Sequence, residues 1–118
     1  MKFAFALPTF VSVALAIAIP AAAALRPQVV TVTASTTTLF APAEITVHAG
    51  QPVELVLVGQ IGVHGIQSSD LGIPQTVITP GSTNKVTFTP TKPGTYTVHC
   101  TIPCGPNHTN MTLVIKVT

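Results

Sequence analysis

The chain has 118 residues, which is enough for one packed domain but not for a second catalytic domain beside it. Charged residues make up 7% and hydrophobic residues 47% of the chain, an imbalance that comes partly from its apolar beginning. The formal net charge is +2, and the basic residues are scattered rather than gathered in a patch or stripe. Nucleic acid is therefore not an expected partner.

The beginning of the chain has the features of an export signal. Lys2 precedes an apolar run from Phe3 to Ile19, which is followed by a proline and a run of four alanines. This is the layout of a secretory signal peptide with an A-x-A cleavage site, so we expect residues 1–25 to be removed. The alternative is that residues 1–25 remain as an N-terminal membrane anchor, because the apolar run could just span a bilayer. In both cases we expect residues 26–118 to form a periplasmic or otherwise extracytoplasmic domain.

After the export segment, short alternating runs are separated by turn residues at a spacing of roughly ten residues. This spacing is typical of an antiparallel β-sandwich or barrel, and helix signals are absent. The turns carry Pro and Gly, which supply the fixed and positive φ values that tight turns require. The predicted strands are Val29–Ala34, Glu44–Val47, Val53–Val58, Val63–Gln67, Thr76–Ile78, Lys85–Thr89, Thr95–Cys100 and Met111–Val117.

The alternation within these runs predicts which side chains face the core. Successive side chains of a strand point to opposite faces, so apolar residues two apart share the buried side. The predicted core positions are Val53, Leu55, Leu57, Val86, Phe88, Tyr96, Val98, Met111, Leu113, Ile115 and Val117.

The segment between the last two predicted strands carries two thiols, an imidazole and a thioether, namely Cys100, Cys104, His108 and Met111. Thiolate and thioether donors select copper, and a weak axial Met beside Cys and His is typical of copper electron-transfer sites. Zinc is the second choice, because its structural sites use only Cys and His. One loop cannot enclose a metal by itself, and His64, at the start of an earlier strand, has the setting of a further ligand.

His64 and the C-x3-C-x3-H-x2-M spacing of the loop resemble the CuA domain of cytochrome c oxidase subunit II, a cupredoxin. The resemblance covers roughly residues 38–118 and includes the Thr79-Pro80-Gly81 turn and the segment from Lys92 to Tyr96 that leads into the loop. It implies an all-β fold, a cupredoxin-like Greek-key antiparallel β-sandwich. It also implies that residues 26–118 are a cupredoxin CuA domain.

The resemblance further implies a binuclear CuA centre with two copper ions. Two cysteines would bridge both ions, one histidine would complete the ligand set of each ion, and a thioether and a backbone carbonyl would be weak axial ligands. No open position would remain for a substrate, so the resemblance implies electron transfer rather than an enzyme activity. The metal ligands implied in this way are Cys100 and Cys104 as bridges, His64 and His108, Met111, and the carbonyl of Ile102.

Three alternatives stay open. An exported protein with two cysteines could hold a Cys100–Cys104 disulfide in an interaction domain that binds no metal. A mononuclear copper site could use His64, Cys104, His108 and Met111, and Cys100 would then have no role. A copper-delivery or storage protein could use the same soft ligands to hand over Cu(I).

The expected partners are redox proteins such as a cytochrome c or a terminal oxidase, and residues 1–25 offer a route to membrane association. In many oxidase subunits the position of Ile102 is acidic and helps hold a magnesium, and an acidic docking group occupies the position of Gly62. The chain also has no Trp that could take up electrons. These departures favour a free-standing carrier, and a small subunit-II-like component of a terminal oxidase stays the other form of this prediction. We expect docking through an apolar patch that includes Ile102, Pro103 and Pro106.

Overall fold

The computed structural model describes residues 2–4, 6, 9–15 and 26–118. The predicted cleavage site, in the four alanines, lies outside the described residues, so the export signal stays a prediction. Among the residues that are described, we find no helix with the length and hydrophobicity needed to cross a bilayer. Residues 26–118 contain β1 (Gln28–Ser35), β2 (Leu39–Ala41), β3 (Glu44–Val47), β4 (Val53–Gly59), β5 (His64–Ser68), β6 (Ile73–Ile78), β7 (Thr83–Phe88), β8 (Gly94–His99), a 3-10 helix (His108–Asn110) and β9 (Thr112–Val117).

The eight predicted strands are all present, with ends that move by at most three residues. The largest shift is at β6, which continues back through Pro74. Proline removes a ladder donor and therefore argues against a central strand, but among the described strands β6 pairs with β5 alone and is an edge strand. β2 was not predicted, because three residues after a polar turn carry too little alternation to be recognised.

The sheets are mixed rather than purely antiparallel, and this corrects one part of the predicted fold. β1 and β4 run parallel, as do β3 and β9, whereas the other pairs are antiparallel. The described strands form sheets in the orders β2-β1-β4-β7, β3-β9-β8 and β5-β6. Parallel neighbours need a crossover connection, which the chain supplies by passing from one sheet to another between the paired strands. The all-β sandwich class itself is confirmed.

The core forms where the apolar faces of the strands meet, and all but one of the predicted core positions are buried in it. One cluster contains buried side chains from both larger sheets and from the β5-β6 hairpin. Tyr96 is the exception among the predicted positions, because it is only half-buried and its hydroxyl donates to the carbonyl of Lys92 at 2.7 Å. The predicted positions that are buried are Val53, Leu55, Leu57, Val86, Phe88, Val98, Met111, Leu113, Ile115 and Val117.

Candidate metal centre

The ligand loop, residues 100–111, connects β8 to β9 and is closed at its base by backbone hydrogen bonds. The N–H of Cys100 donates to the carbonyl of Met111 at 3.0 Å, which continues the β8-β9 ladder by one more pair. Near the end of the loop, the N–H of His108 donates to Gly105 at 3.1 Å, and the N–H of Met111 donates to His108 at 3.2 Å. The tight turns inside the loop therefore bring its side chains back over its own base.

His64 reaches the loop because β5 lies directly beside it. The N–H of Thr101 donates to the carbonyl of Gly65 at 3.0 Å, so the residue after Cys100 is bonded to the residue after His64. A Cβ on Gly65 would lie 2.5 Å from Thr101 Oγ1 and 3.1 Å from Ile102 Cδ1. This close approach of two chain segments leaves room only for glycine.

The two cysteines lie at the centre of the site as free thiols. Cys100 is buried and Cys104 is half-buried, and their Sγ atoms are 3.5 Å apart. A disulfide bond requires about 2.05 Å between sulfur atoms. In this arrangement the cysteines are two adjacent thiol donors.

The thiol of Cys100 has one imidazole and one carbonyl as neighbours. Its Sγ is 4.0 Å from His64 Nδ1 and 3.3 Å from the carbonyl oxygen of Ile102. The side chain of His64 is completely buried. The predicted ligands on this side of the site therefore lie together.

The thiol of Cys104 has an equivalent set of neighbours. Its Sγ is 3.4 Å from His108 Nδ1 and 3.6 Å from Met111 Sδ. Met111 is completely buried, whereas His108 is half-buried at the surface end of the site. Each thiol is thus close to one imidazole nitrogen and one weak donor, and all six sequence-predicted positions meet in one place.

The orientation of His64 is set by a backbone group that sequence reasoning missed. Its Nε2 is 2.7 Å from the carbonyl oxygen of Ile61. A carbonyl only accepts hydrogen bonds, so Nε2 carries the proton and the lone pair of Nδ1 is directed towards Cys100. The imidazole is therefore held in the tautomer that can bind a metal ion through Nδ1.

The metal-free site holds protons that a metal ion would have to displace. Burial, together with the hydrogen bond and the charge interaction with Cys100, raises the pKa of the Cys104 thiol from 9.0 to about 11. The neutral thiol is therefore the main form at neutral pH when no metal is bound. Because the thiolate is the metal ligand, metal binding releases this proton.

A second contact missed at the sequence level holds the loop from the side of β6. Gln75 Nε2 donates to Thr101 Oγ1 at 2.8 Å, and a Cβ on Gly65 would lie 3.1 Å from the same Nε2. No motif or periodicity singles out Gln75, which is an exposed polar residue in an edge strand. Only the tertiary structure brings it to the loop.

The sequence of residues 7–115 matches the family model of the cupredoxin-like domain. The chain belongs to the cupredoxin-like domain family. In this fold, the side-chain donor atoms of His64, Cys100 and Cys104 lie within 4.8 Å of one another. The soft donor set and the fold together support copper as the metal.

Solved structures with the same fold include a domain of an oxidase subunit and a blue copper protein. The periplasmic domain of subunit II of cytochrome oxidase (CoxB) of Bradyrhizobium japonicum is 24% identical, with a TM-score of 0.59 over 64% of this chain. Auracyanin A, a "blue" copper protein of Chloroflexus aurantiacus, is 20% identical, with a TM-score of 0.61 over 79% of this chain and 100% of its own. This cupredoxin spans about half, 54%, of the length of the subunit II structure.

A further neighbour is subunit II of cytochrome c oxidase in a mixed disulfide with a thioredoxin-like protein. It is 16% identical, with a TM-score of 0.61 over 77% of this chain and 81% of its own. At these levels of identity, all three comparisons establish the shared fold.

Proposed function

We propose that this cupredoxin transfers single electrons through a binuclear CuA copper centre. The observation that carries the proposal is the paired arrangement of donors around Cys100 and Cys104. Each thiol has an imidazole nitrogen and a weak donor at distances between 3.3 and 4.0 Å. Two sulfur atoms 3.5 Å apart are suited to be shared by two metal ions.

A mononuclear site is the second candidate, and the similarity to a blue copper protein favours it. Such a site would use His64, Cys104, His108 and Met111 and would leave Cys100 as a buried thiol. The contacts argue for the binuclear site, because Cys100 has its own imidazole and carbonyl neighbours and does not merely pack beside Cys104. The two candidates differ in the number of copper ions per chain.

Bound copper would supply one-electron oxidation and reduction. The protein would contribute a rigid and partly buried set of donors, because the loop is bonded at its base, to β5 and to Gln75. Donors held in place in this way move little when the charge of the centre changes. Such preorganisation lowers the reorganisation energy of electron transfer. All donors come from the protein, so we propose that the chain itself has no catalytic activity.

The surface next to the site is suited to a transient interface with a redox partner, one that involves no charged residues of this chain. Ile61 and Val63, which precede His64, are 58% and 42% exposed, and Pro103 and Pro106 of the ligand loop are also exposed. No charged residue occurs in the segments 59–69 and 93–115. We therefore propose that a cytochrome c or a terminal oxidase docks here through a small apolar interface.

We also propose that the protein works outside the cytoplasm, with residues 1–25 as the export signal and residues 26–118 as the copper domain. The layout of the N-terminal segment supports export. The periplasmic origin of the subunit II neighbour agrees with it.

The test is to load residues 26–118 with copper under reducing conditions, since all the described strands lie in this range. The copper-to-protein ratio, the visible spectrum and the electron paramagnetic resonance (EPR) spectrum are then measured. Two coppers per chain and a purple protein with an unpaired electron shared between two nuclei are expected. One copper with a blue colour and a single-nucleus signal would replace the binuclear proposal with the mononuclear one. A protein that binds no copper would refute both.

Copper delivery or storage is the remaining alternative, and a competition experiment separates it from electron transfer. A carrier should keep its copper in both oxidation states and pass through repeated cycles of reduction and oxidation without loss. A delivery protein should release Cu(I) to a modest competing chelator. Measuring bound copper after each cycle in the presence of such a chelator decides between the two functions.

A further inference from the structure

Thr36, in the turn between β1 and β2, contacts the backbone that orients His64. Its N–H donates to the carbonyl of Ile61 at 2.9 Å, and its hydroxyl donates to the same carbonyl at 3.1 Å. This is also the carbonyl that accepts the Nε2 proton of His64 at 2.7 Å. One oxygen atom therefore joins Thr36 to the imidazole ring.

The backbone between Ile61 and His64 packs directly against the side chain of Thr36. Gly62 has a φ of +81°, a conformation that side-chain-bearing residues rarely adopt. A Cβ on Gly62 would collide with Thr36 Oγ1 and would lie 3.2 Å from His64 Nε2. The hydroxyl of Thr36 thus packs against the backbone just before His64.

The methyl group of Thr36 faces the other half of the site. A Cβ on Gly105 would lie 3.6 Å from Thr36 Cγ2, which is ordinary van der Waals distance. Gly105 directly follows Cys104 and has a φ of +119°. Thr36 therefore contacts the segment before His64 through its hydroxyl, and its methyl group faces the segment after Cys104 across a space that a methyl group on Gly105 would fill.

We propose that Thr36 is a positioning residue that holds the two donor-bearing segments in register. Its hydroxyl keeps the Ile61 carbonyl directed at His64, so that the ring stays in the tautomer with Nδ1 free. Its methyl group occupies the space that faces Gly105 and so limits how far the backbone after Cys104 can move towards β1. The effect on copper rests on the proposed function, whereas the effect on the His64 ring can be measured without metal.

The hydroxyl of Thr36 could also compete with His64 for the Ile61 carbonyl, and the two roles predict opposite changes in the His64 hydrogen bond. The Ile61 carbonyl receives three donors, although an oxygen atom of this kind has two lone pairs. If the hydroxyl only competed with His64, its removal would strengthen the His64 hydrogen bond. If it positions the carbonyl, its removal weakens that bond.

The experiment compares Thr36→Val, which removes the hydroxyl and keeps a methyl group, with Thr36→Ser, which does the reverse. Thr33→Val is the matched control, because Thr33 Oγ1 also donates to a backbone carbonyl at 3.1 Å, that of Ala41. In the reduced metal-free protein, the hydrogen exchange rate of the His64 Nε2 proton is measured by NMR. We expect Thr36→Val to raise it about fivefold, the factor that corresponds to one ordinary hydrogen bond, and the other two variants to leave it unchanged.

The copper-loaded proteins test the other half of the proposal. Thr36→Ser should lose copper to a chelator faster than wild type and show an altered EPR spectrum, while Thr33→Val should match wild type in both. Thermal unfolding is measured for every variant, and a cooperative transition shows that the variant is folded. An unchanged or slower exchange of the His64 proton in Thr36→Val would overturn the positioning role of the hydroxyl, and wild-type copper retention in Thr36→Ser would overturn that of the methyl group. Failure of the proposed function would look different, because the wild-type protein itself would then bind one copper ion or none.

Discussion

Met111 has two roles in the proposed site, and a conservative substitution separates them. Its side chain is completely buried in the core, and its Sδ is 3.6 Å from Cys104 Sγ. A buried methionine that only fills space should be replaceable by leucine, which has a similar volume. A methionine that donates electrons to copper should not be replaceable in this way.

The effect on the stability of the metal-free protein follows from burial. Met111→Leu should lower the free energy of unfolding by less than about 1.5 kcal/mol, because volume-conserving changes in a core are tolerated. Met111→Ala should lower it by about 2–5 kcal/mol, since the lost contacts leave a cavity. Leu113→Ala is the matched control, as Leu113 is completely buried on the same face of the last strand and should lose a similar amount. Urea unfolding of the reduced metal-free proteins measures these values.

The effect of these substitutions on the reduction potential of the copper centre should not follow their effect on stability. Met111→Leu removes a donor that stabilises the oxidised more than the reduced centre, so the reduction potential should rise. The rise should be about 59 mV for each tenfold loss of relative affinity for the oxidised form. Potentiometric titration and EPR spectra of the loaded variants give the result. The role of Met111 as a ligand would be refuted if Met111→Leu had the potential and spectrum of wild type, or if Leu113→Ala changed both as strongly.

Three further predictions concern the rest of the site. Ile102→Glu should slow electron transfer to a redox partner in stopped-flow measurements and keep the copper spectrum, because Ile102 contacts Cys100 through its backbone carbonyl, which the substitution retains. Loss of copper would show that the side chain has another role. The contribution of Cys104 to the free energy of unfolding of the metal-free protein should be fully present below about pH 9 and be lost as the pH rises through about 11, because the folded protein holds the Cys104 proton more tightly than the unfolded chain does. The same fall in a Cys104→Ser variant would disprove this cause. Gly65→Ala should lower the free energy of unfolding by about 1–3 kcal/mol, because the new Cβ would lie 2.5 Å from Thr101 Oγ1. In a Thr101→Ala background the cost should be smaller, and an equal cost in urea unfolding would show that this contact is not its source.

The alternation of apolar residues was sufficient to predict most of the fold, because each strand buries one face. It placed eight strands, and ten of the eleven core positions that it predicted are buried. It missed β2, whose three residues are held mainly by pairing with β1, and the early part of β6, where Pro74 hides the strand. It also missed the parallel pairs, since alternation describes the two faces of a strand and carries no information about which strand lies next to it.

The sequence by itself determined the chemistry that is available: two thiols, an imidazole and a thioether on one short loop, whose spacing is a local property of the chain. The tertiary structure decided which backbone groups orient these donors. His64 lies 36 residues before Cys100, and Thr36 lies 25 residues before Ile61. The Ile61 carbonyl, the glycine at position 65 and the hydroxyl of Thr36 act through close contacts between distant segments, and such contacts exist only once the sheets have packed.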